Sequence, residues 1–202
     1  MQAMCLLAYE LAAMLLPAAL AFCRLRRRLG PEQPCPVLPV LVFAAYAAAV
    51  LHLTGAGTLG DGLIYQMQFG GEQVNLLPFS RQIDAVAYLQ NVLLFVPFGL
   101  LLPWFWPALR RPKPVLFAGF GLPLVIELSQ LLNNRRTDID DLILNTLGAA
   151  LGYALWRVMH LHAAPAGPRA GWAVPLGCLG AMCAGRLLLY HELWMASLLY
   201  GF

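Results

Sequence analysis

Apolar residues run along this chain in six long blocks, Gln2–Cys23, Val37–Thr54, Asp84–Trp106, Pro114–Leu132, Ile139–His160 and Gly171–Tyr200. A hydrocarbon layer about 30 Å thick calls for about 20 apolar residues per helix, and the blocks are of that order. The last is long enough to tilt or to end in an interfacial piece. Short polar joints separate them, none long or polar enough to form a soluble domain. The pattern therefore predicts an all-α fold: one polytopic membrane helical bundle over residues 1–202, with about six transmembrane helices. The longest joint, Gly55–Ile83, starts Gly-rich and continues as Val74-Asn75-Leu76-Leu77-Pro78-Phe79. That stretch is too short to span and too apolar to float, so it reads as an interfacial or re-entrant segment sheltered by neighbouring helices.

Composition sharpens this reading. Hydrophobic residues make up 60% of the chain and charged residues 11%, against about 25% charged in a soluble domain. So much apolar surface cannot be hidden in one small water-soluble core, and disorder or a disulfide-stapled module is excluded with it. A net charge of +3 is too weak to point to nucleic acid. The five cysteines, Cys5, Cys23, Cys35, Cys178 and Cys183, are odd in number and form no CxxC pair. They read as small buried hydrophobes. The first block is expected to be a retained helix rather than a cleaved signal. Its only charge is Glu10, the arginines follow it, and Phe22 is bulky where a cleavage site wants a small residue.

Lys and Arg in the joints predict orientation. The first, third and fifth joints carry nine (Arg24, Arg26, Arg27, Arg28, Arg110, Arg111, Lys113, Arg157, Arg169), the second and fourth three (Arg81, Arg135, Arg136). The larger group belongs in the cytoplasm, which puts both termini and the second and fourth joints outside.

The unusual polar residues gather on that outer side. Asn91, Glu127 and Asn145 come from three different helices, yet each lies roughly 8–10 Å below the outer boundary at 1.5 Å per residue. A charge at membrane depth costs on the order of 2.5–3.5 kcal/mol, so Glu127 is expected to face the bundle interior. Asp84, Tyr88 and Asn91 share one helix face, as do Asp141, Asn145, Gly148 and Gly152, where small residues permit close packing. Thr137 or Asp138 can cap the fifth helix, with Asp140 and Asp141 suited to its positive end. Arg135 or Arg136 is the expected partner for Glu127 or the aspartates. The outcome is a polar pit open to the outside, its candidate ligand-binding residues Asn75, Asn91, Glu127, Gln130, Arg136, Asp138, Asp141 and Asn145. Interhelical hydrogen bonding alone is the competing account of the same residues. Elsewhere Glu10 and Arg186 are suited to a structural ion pair, and Pro97, Pro103 and Pro123 to helix kinks. His160 and His162 have no co-ligand at metal spacing, and His191-Glu192-Leu193-Trp194-Met195 lacks a zinc helix's second histidine.

Four blocks carry a resemblance. They are Val74–Phe79, Asn91-Val92-Leu93-Leu94-Phe95-Val96-Pro97-Phe98-Gly99, Glu127-Leu128-Ser129-Gln130, and Arg136-Thr137-Asp138-Ile139-Asp140-Asp141-Leu142-Ile143-Leu144-Asn145-Thr146-Leu147-Gly148. In this order and spacing they closely resemble the VanZ-like family of bacterial membrane proteins, over roughly Ile64–Arg157. The resemblance implies a cell-envelope setting linked to teicoplanin resistance and supplies no catalytic residues. One function class is a non-enzymatic protein that binds a lipid-linked cell-wall precursor or a lipid-tailed molecule and lowers sensitivity to lipoglycopeptides. Its partners are then membrane lipids or the lipoglycopeptide itself, and no cofactor is implied. The other is a membrane enzyme acting on a polyprenyl-phosphate or phospholipid head group. Asp138, Asp140 and Asp141 would hold Mg²⁺, and Glu127 would act as general base. Against the enzyme, the chain has no phosphatase histidine pair, no Ser/His nucleophile set and no phosphate loop. Transport fits less well, because the helices show no clear internal repeat.

Overall fold

A computed structural model describes residues 2–29, 37–65, 73–80, 84–159 and 171–201. Cys35, Arg81, His160, His162 and Arg169, considered above, lie outside them. The chain forms α1 (Gln2–Leu29), α2 (Val37–Thr54), short α3 (Leu59–Ile64), β1 (Val74–Asn75), α4 (Ala85–Phe105), α5 (Pro112–Gln130), β2 (Thr137–Asp138), α6 (Ile139–Met159), α7 (Ala173–Leu189) and α8 (Glu192–Tyr200). Among the described residues, five helical segments are long and apolar enough to cross a membrane. A sixth is available if α7 and α8, bent by 53° at Tyr190 and His191, count as one. This is an all-α membrane bundle, as the blocks predict. The first helix extends past the expected Cys23 through the arginine cluster to Leu29, because arginine is a good helix former and suits the negative C-terminal end.

Two helix pairs organise the bundle, α4 with α6 and α1 with α7. Small residues make both contacts possible. A Cβ on Gly148 would lie 2.2 Å from the Val92 carbonyl oxygen, one on Gly152 1.9 Å from that of Val96, and one on Gly185 2.1 Å from that of Ala13. Only a residue without a side chain lets backbones approach so closely. Between the pairs, Phe43, Phe95, Phe98, Leu102 and Trp106 are fully buried, and the Phe43 ring lies edge-on to Trp106 at 5.4 Å. Leucine and phenylalanine elsewhere are turned outward, including Leu93, Phe117, Leu128 and Leu151. In a membrane protein that surface is solvated by lipid.

The cysteines depart from expectation. Cys178 is buried and Cys183 half-buried, but Cys5 and Cys23 are exposed. An apolar run in this setting faces lipid as readily as it faces the core, so hydrophobic neighbours do not imply burial.

Candidate functional site

The site is built where the loop before α4 meets the start of α6. Val74 and Asn75 pair in parallel with Thr137 and Asp138, forming a two-residue clip. The exposed Val74 and buried Asn75 reverse the usual polarity of a protein surface. Gln73 anchors the clip, its side-chain amide donating to the carbonyls of Leu131 (3.2 Å) and Arg135 (3.1 Å), while its own carbonyl accepts the Thr137 N–H. The Asn75 amide donates to the Asp138 carboxylate at 3.1–3.2 Å. Its carbonyl oxygen accepts from the Leu77 N–H and the Ser80 hydroxyl, which folds the loop back on itself. Phe79 completes that turn at φ +54°.

Asp138 also accepts the Asp140 N–H at 3.1 Å, the expected cap of the helix start. The carboxylates then diverge. Asp140, 2% exposed, accepts the Phe79 N–H at 2.8 Å and the Tyr88 hydroxyl. Asp141 accepts from the Asn91 amide. Glu127, 4% exposed, accepts the Asp138 N–H at 3.0 Å, and its backbone carbonyl accepts the Thr137 hydroxyl at 2.9 Å. Asn145 lies one turn below Asp141 and is buried, its Oδ1 without a hydrogen-bond partner among the described residues.

Several expectations need correction. Neither arginine pairs with Glu127 or with a described aspartate. Arg135 lies over Gly55 and donates to the Thr54 carbonyl at 2.7 Å. Gln130 joins it there at 2.8 Å, with Asn133 on the Gly55 carbonyl at 3.0 Å. The open carbonyls and negative dipole end of α2 hold the cation that the aspartates were expected to take. Gln130 therefore leaves the pit and braces α2 against α5. Arg136 is exposed and makes no ion pair with a described residue. Asn91, Glu127 and Asn145 also do not bond to one another; the 138–141 turn links two of them through separate partners. Asn75, Asp138, Glu127, Asn91 and Asp141 are brought together in this way, with Asn145 beneath. Asp84 leaves its expected stripe to cap its own helix, accepting from the N–H groups of Val86 and Ala87.

Sequence reasoning missed Gln73 and Ser80 and used Asp140 only as a dipole or metal residue. The sole hint was position: Gln73 and Ser80 flank the apolar Val74–Phe79 stretch. Because the three aspartates turn to different partners, no cluster of three metal-ligating side chains forms among the described residues. The Mg²⁺ arrangement considered above does not fit this geometry.

The residues of the clip and pit lie within the stretch that relates this chain to known proteins. The profile of the VanZ/LLP1 family matches residues 41–160. The chain belongs to the VanZ/LLP1 family. Over 90 residues it is 33% identical to "Protein VanZ" of Enterococcus faecium, covering 44% of this chain and 55% of that protein. The chain thus spans about half the length of the curated relative it matches. No solved structure matches it. The VanZ/LLP1 region takes in α2, the clip, α4, α5 and α6, and leaves out α1 and α7 with the ion pair between them.

A different chemistry governs that pair. Glu10 and Arg186 are 4% and 7% exposed and ion-paired, as the sequence suggests. His52 adds its Nδ1 to the other Glu10 oxygen at 2.7 Å. Arg186 also donates to the Ala56 carbonyl at 2.8 Å and lies 5.3 Å over the Tyr190 ring. Every strong group there has a partner.

Proposed function

We propose that this VanZ/LLP1 protein binds a lipid-linked or lipid-tailed ligand at the clip and pit, and that this binding lowers sensitivity to teicoplanin-type lipoglycopeptides. The observation carrying the proposal is the imbalance of the site. Glu127, Asp140 and Asp141 have no cation among the described residues, and the buried Asn145 Oδ1 has no donor. Side-chain oxygens without a cation or a donor suit a ligand rich in donors, such as amino, amide or hydroxyl groups of a sugar–peptide head. Buried polar atoms left unpaired are costly, so a ligand that satisfies them binds with that cost relieved. Arg136, exposed at the rim, is placed to meet an anionic group such as a lipid-linked phosphate. The name of the Enterococcus relative, and the nine-to-three distribution of Lys and Arg that turns the clip outward, support the cell-envelope part of this reading.

The test uses the full chain reconstituted in vesicles, titrated with a fluorescent teicoplanin-type lipoglycopeptide and, separately, a lipid-linked cell-wall precursor. Saturable binding to either, lost in Glu127→Gln and Asp141→Asn, is the expected result. Equal binding by wild type and both variants overturns the assignment to the pit. Release of a modified head group in the same vesicles replaces binding with the enzymatic reading.

A further inference from the structure

A cavity of about 410 Å³ lies on the other side of α5, between α5, the end of α2 and α7. Its wall on this side is formed by Val125, Ile126, Leu128 and Ser129 of α5 and by Leu132 just past the helix end. Val125, Leu128 and Ser129 are positions i, i+3 and i+4 and so share one face of the helix. At 100° per residue Glu127 points nearly opposite to that face, so this space is distinct from the pit. Ala184 and Leu187 on α7 close the other side.

Two polar side chains reach the lining, and both are already engaged. The Ser129 hydroxyl donates to the Ile126 carbonyl at 2.7 Å and accepts the Gly57 N–H at 3.0 Å. Arg186 is held by Glu10 and by the Ala56 carbonyl. A water molecule needs two to four polar partners and a polar head group needs more, and the walls offer neither. The space is also continuous with the lipid-facing surface, because Val125 and Leu128 are 48% and 55% exposed. From Val125 to Leu132 the lining runs roughly 10 Å along the helix axis, parallel to the chains of a surrounding bilayer. Its volume falls in the range of small-molecule sites, about 300–1,000 Å³.

We infer that this cavity is an acyl-chain site, holding one hydrocarbon tail of a membrane phospholipid that enters sideways between α5 and α7. The occupant is hydrocarbon because hydrocarbon is the medium the opening meets and the walls offer nothing else. The site does not depend on the ligand proposed for the pit. It would wedge the α1–α7 pair against the VanZ/LLP1 region where direct contact between α5 and α7 is sparse.

The experiment uses the full chain in phosphatidylcholine vesicles containing a phospholipid with a mid-chain diazirine. Irradiation is followed by peptide mapping. Adducts on residues 125–132 and 183–187 are expected to exceed those at the lipid-facing Leu151 and Leu155 of α6. Ala184→Trp fills the cavity from an exposed position and should lower the cavity adducts to the α6 level, leaving the α6 adducts unchanged. Should Ala184→Trp fail to accumulate, Leu187→Trp gives the same reading from the next position. Wild-type adducts no higher than the α6 control overturn the proposal, as do cavity adducts undiminished in a folded variant. Excess teicoplanin-type lipoglycopeptide should leave the adducts in place. Their loss would make the drug's tail the occupant and overturn the phospholipid assignment.

Discussion

The α1–α7 pair and the α4–α6 pair both approach through glycine and both bury ionisable side chains, yet they treat charge in opposite ways. Between α1 and α7, Glu10 meets Arg186, His52 and, through the arginine, a carbonyl and an aromatic face. At the head of α4 and α6, carboxylates meet only amide, hydroxyl and backbone donors among the described residues. The first arrangement is closed, with positive and negative charge matched inside the protein. The second holds Glu127, Asp140 and Asp141 by neutral donors among the described residues and leaves the Asn145 Oδ1 without one. Within one bundle, burial of charge is therefore a structural device in one place and a candidate point of recognition in another. Partner chemistry, not depth, separates the two.

The largest effect on stability should come from halving the closed pair. Arg186→Met leaves Glu10 buried and its main partner gone, a loss of about 3–5 kcal/mol. Membrane abundance and thermal unfolding in detergent should both collapse. Combining it with Glu10→Leu should restore most of that loss, since a buried ion pair replaced by apolar residues of similar volume is often near neutral. A single variant as stable as wild type would mean that the pair is not a structural unit.

Next comes the small-residue seam. Gly152→Val places a Cβ against the Val96 carbonyl, where only backbone movement can relieve the clash. Overpacking costs about 1–3 kcal/mol. The melting temperature should fall, and disulfide trapping between cysteines placed on α4 and α6 should slow. Unchanged trapping would show that the helices are not so closely apposed.

Loosening the clip is milder. Asn75→Ala removes hydrogen bonds to Asp138 and the turn at Leu77, worth about 1 kcal/mol each in net terms. Amide hydrogen exchange at Leu77 and Phe79 should accelerate while the transmembrane helices stay protected. Uniform exchange across the chain would instead mean that the clip is integral to global stability.

The smallest stability effect is expected from Glu127→Gln, which keeps shape and an oxygen to accept the Asp138 N–H. Its melting temperature should stay close to wild type while protection of cells against a teicoplanin-type lipoglycopeptide is lost. This is the point of greatest contrast with Arg186→Met, where activity and abundance should fall together. Full protection by normally accumulating Glu127→Gln protein would make the pit a second structural device and erase the comparison.

Much of this was legible in the linear pattern. The transmembrane blocks follow from apolar length alone, and the Glu10–Arg186 pair from the rule that isolated mid-membrane charges seek one another. The stripe of Asp141, Asn145, Gly148 and Gly152 correctly marks the packed face of α6, because helical periodicity is a local property. The clip was not legible. Asn75 and Asp138 lie in loops 63 positions apart, and no periodicity relates one irregular segment to another. Arg135 was misassigned for a related reason. Charge matching favours an aspartate, whereas the carbonyls at the end of α2 become available only once the tertiary fold brings that end close. The exposed Cys5 and Cys23 show a further limit, since hydrophobic context says that a residue avoids water without saying whether lipid or protein replaces it.

The parallel pairing of Val74–Asn75 with Thr137–Asp138 also imposes an order on biogenesis. As the nascent chain leaves the ribosome, the first half of this latch emerges before α4, and the second only after α4 and α5 have been threaded. Asn75 must wait through two complete membrane crossings for its mate. If either crossing is missed or reversed, the two halves end on opposite sides of the bilayer and cannot meet. Closure of the latch thus records that the central hairpin was inserted correctly.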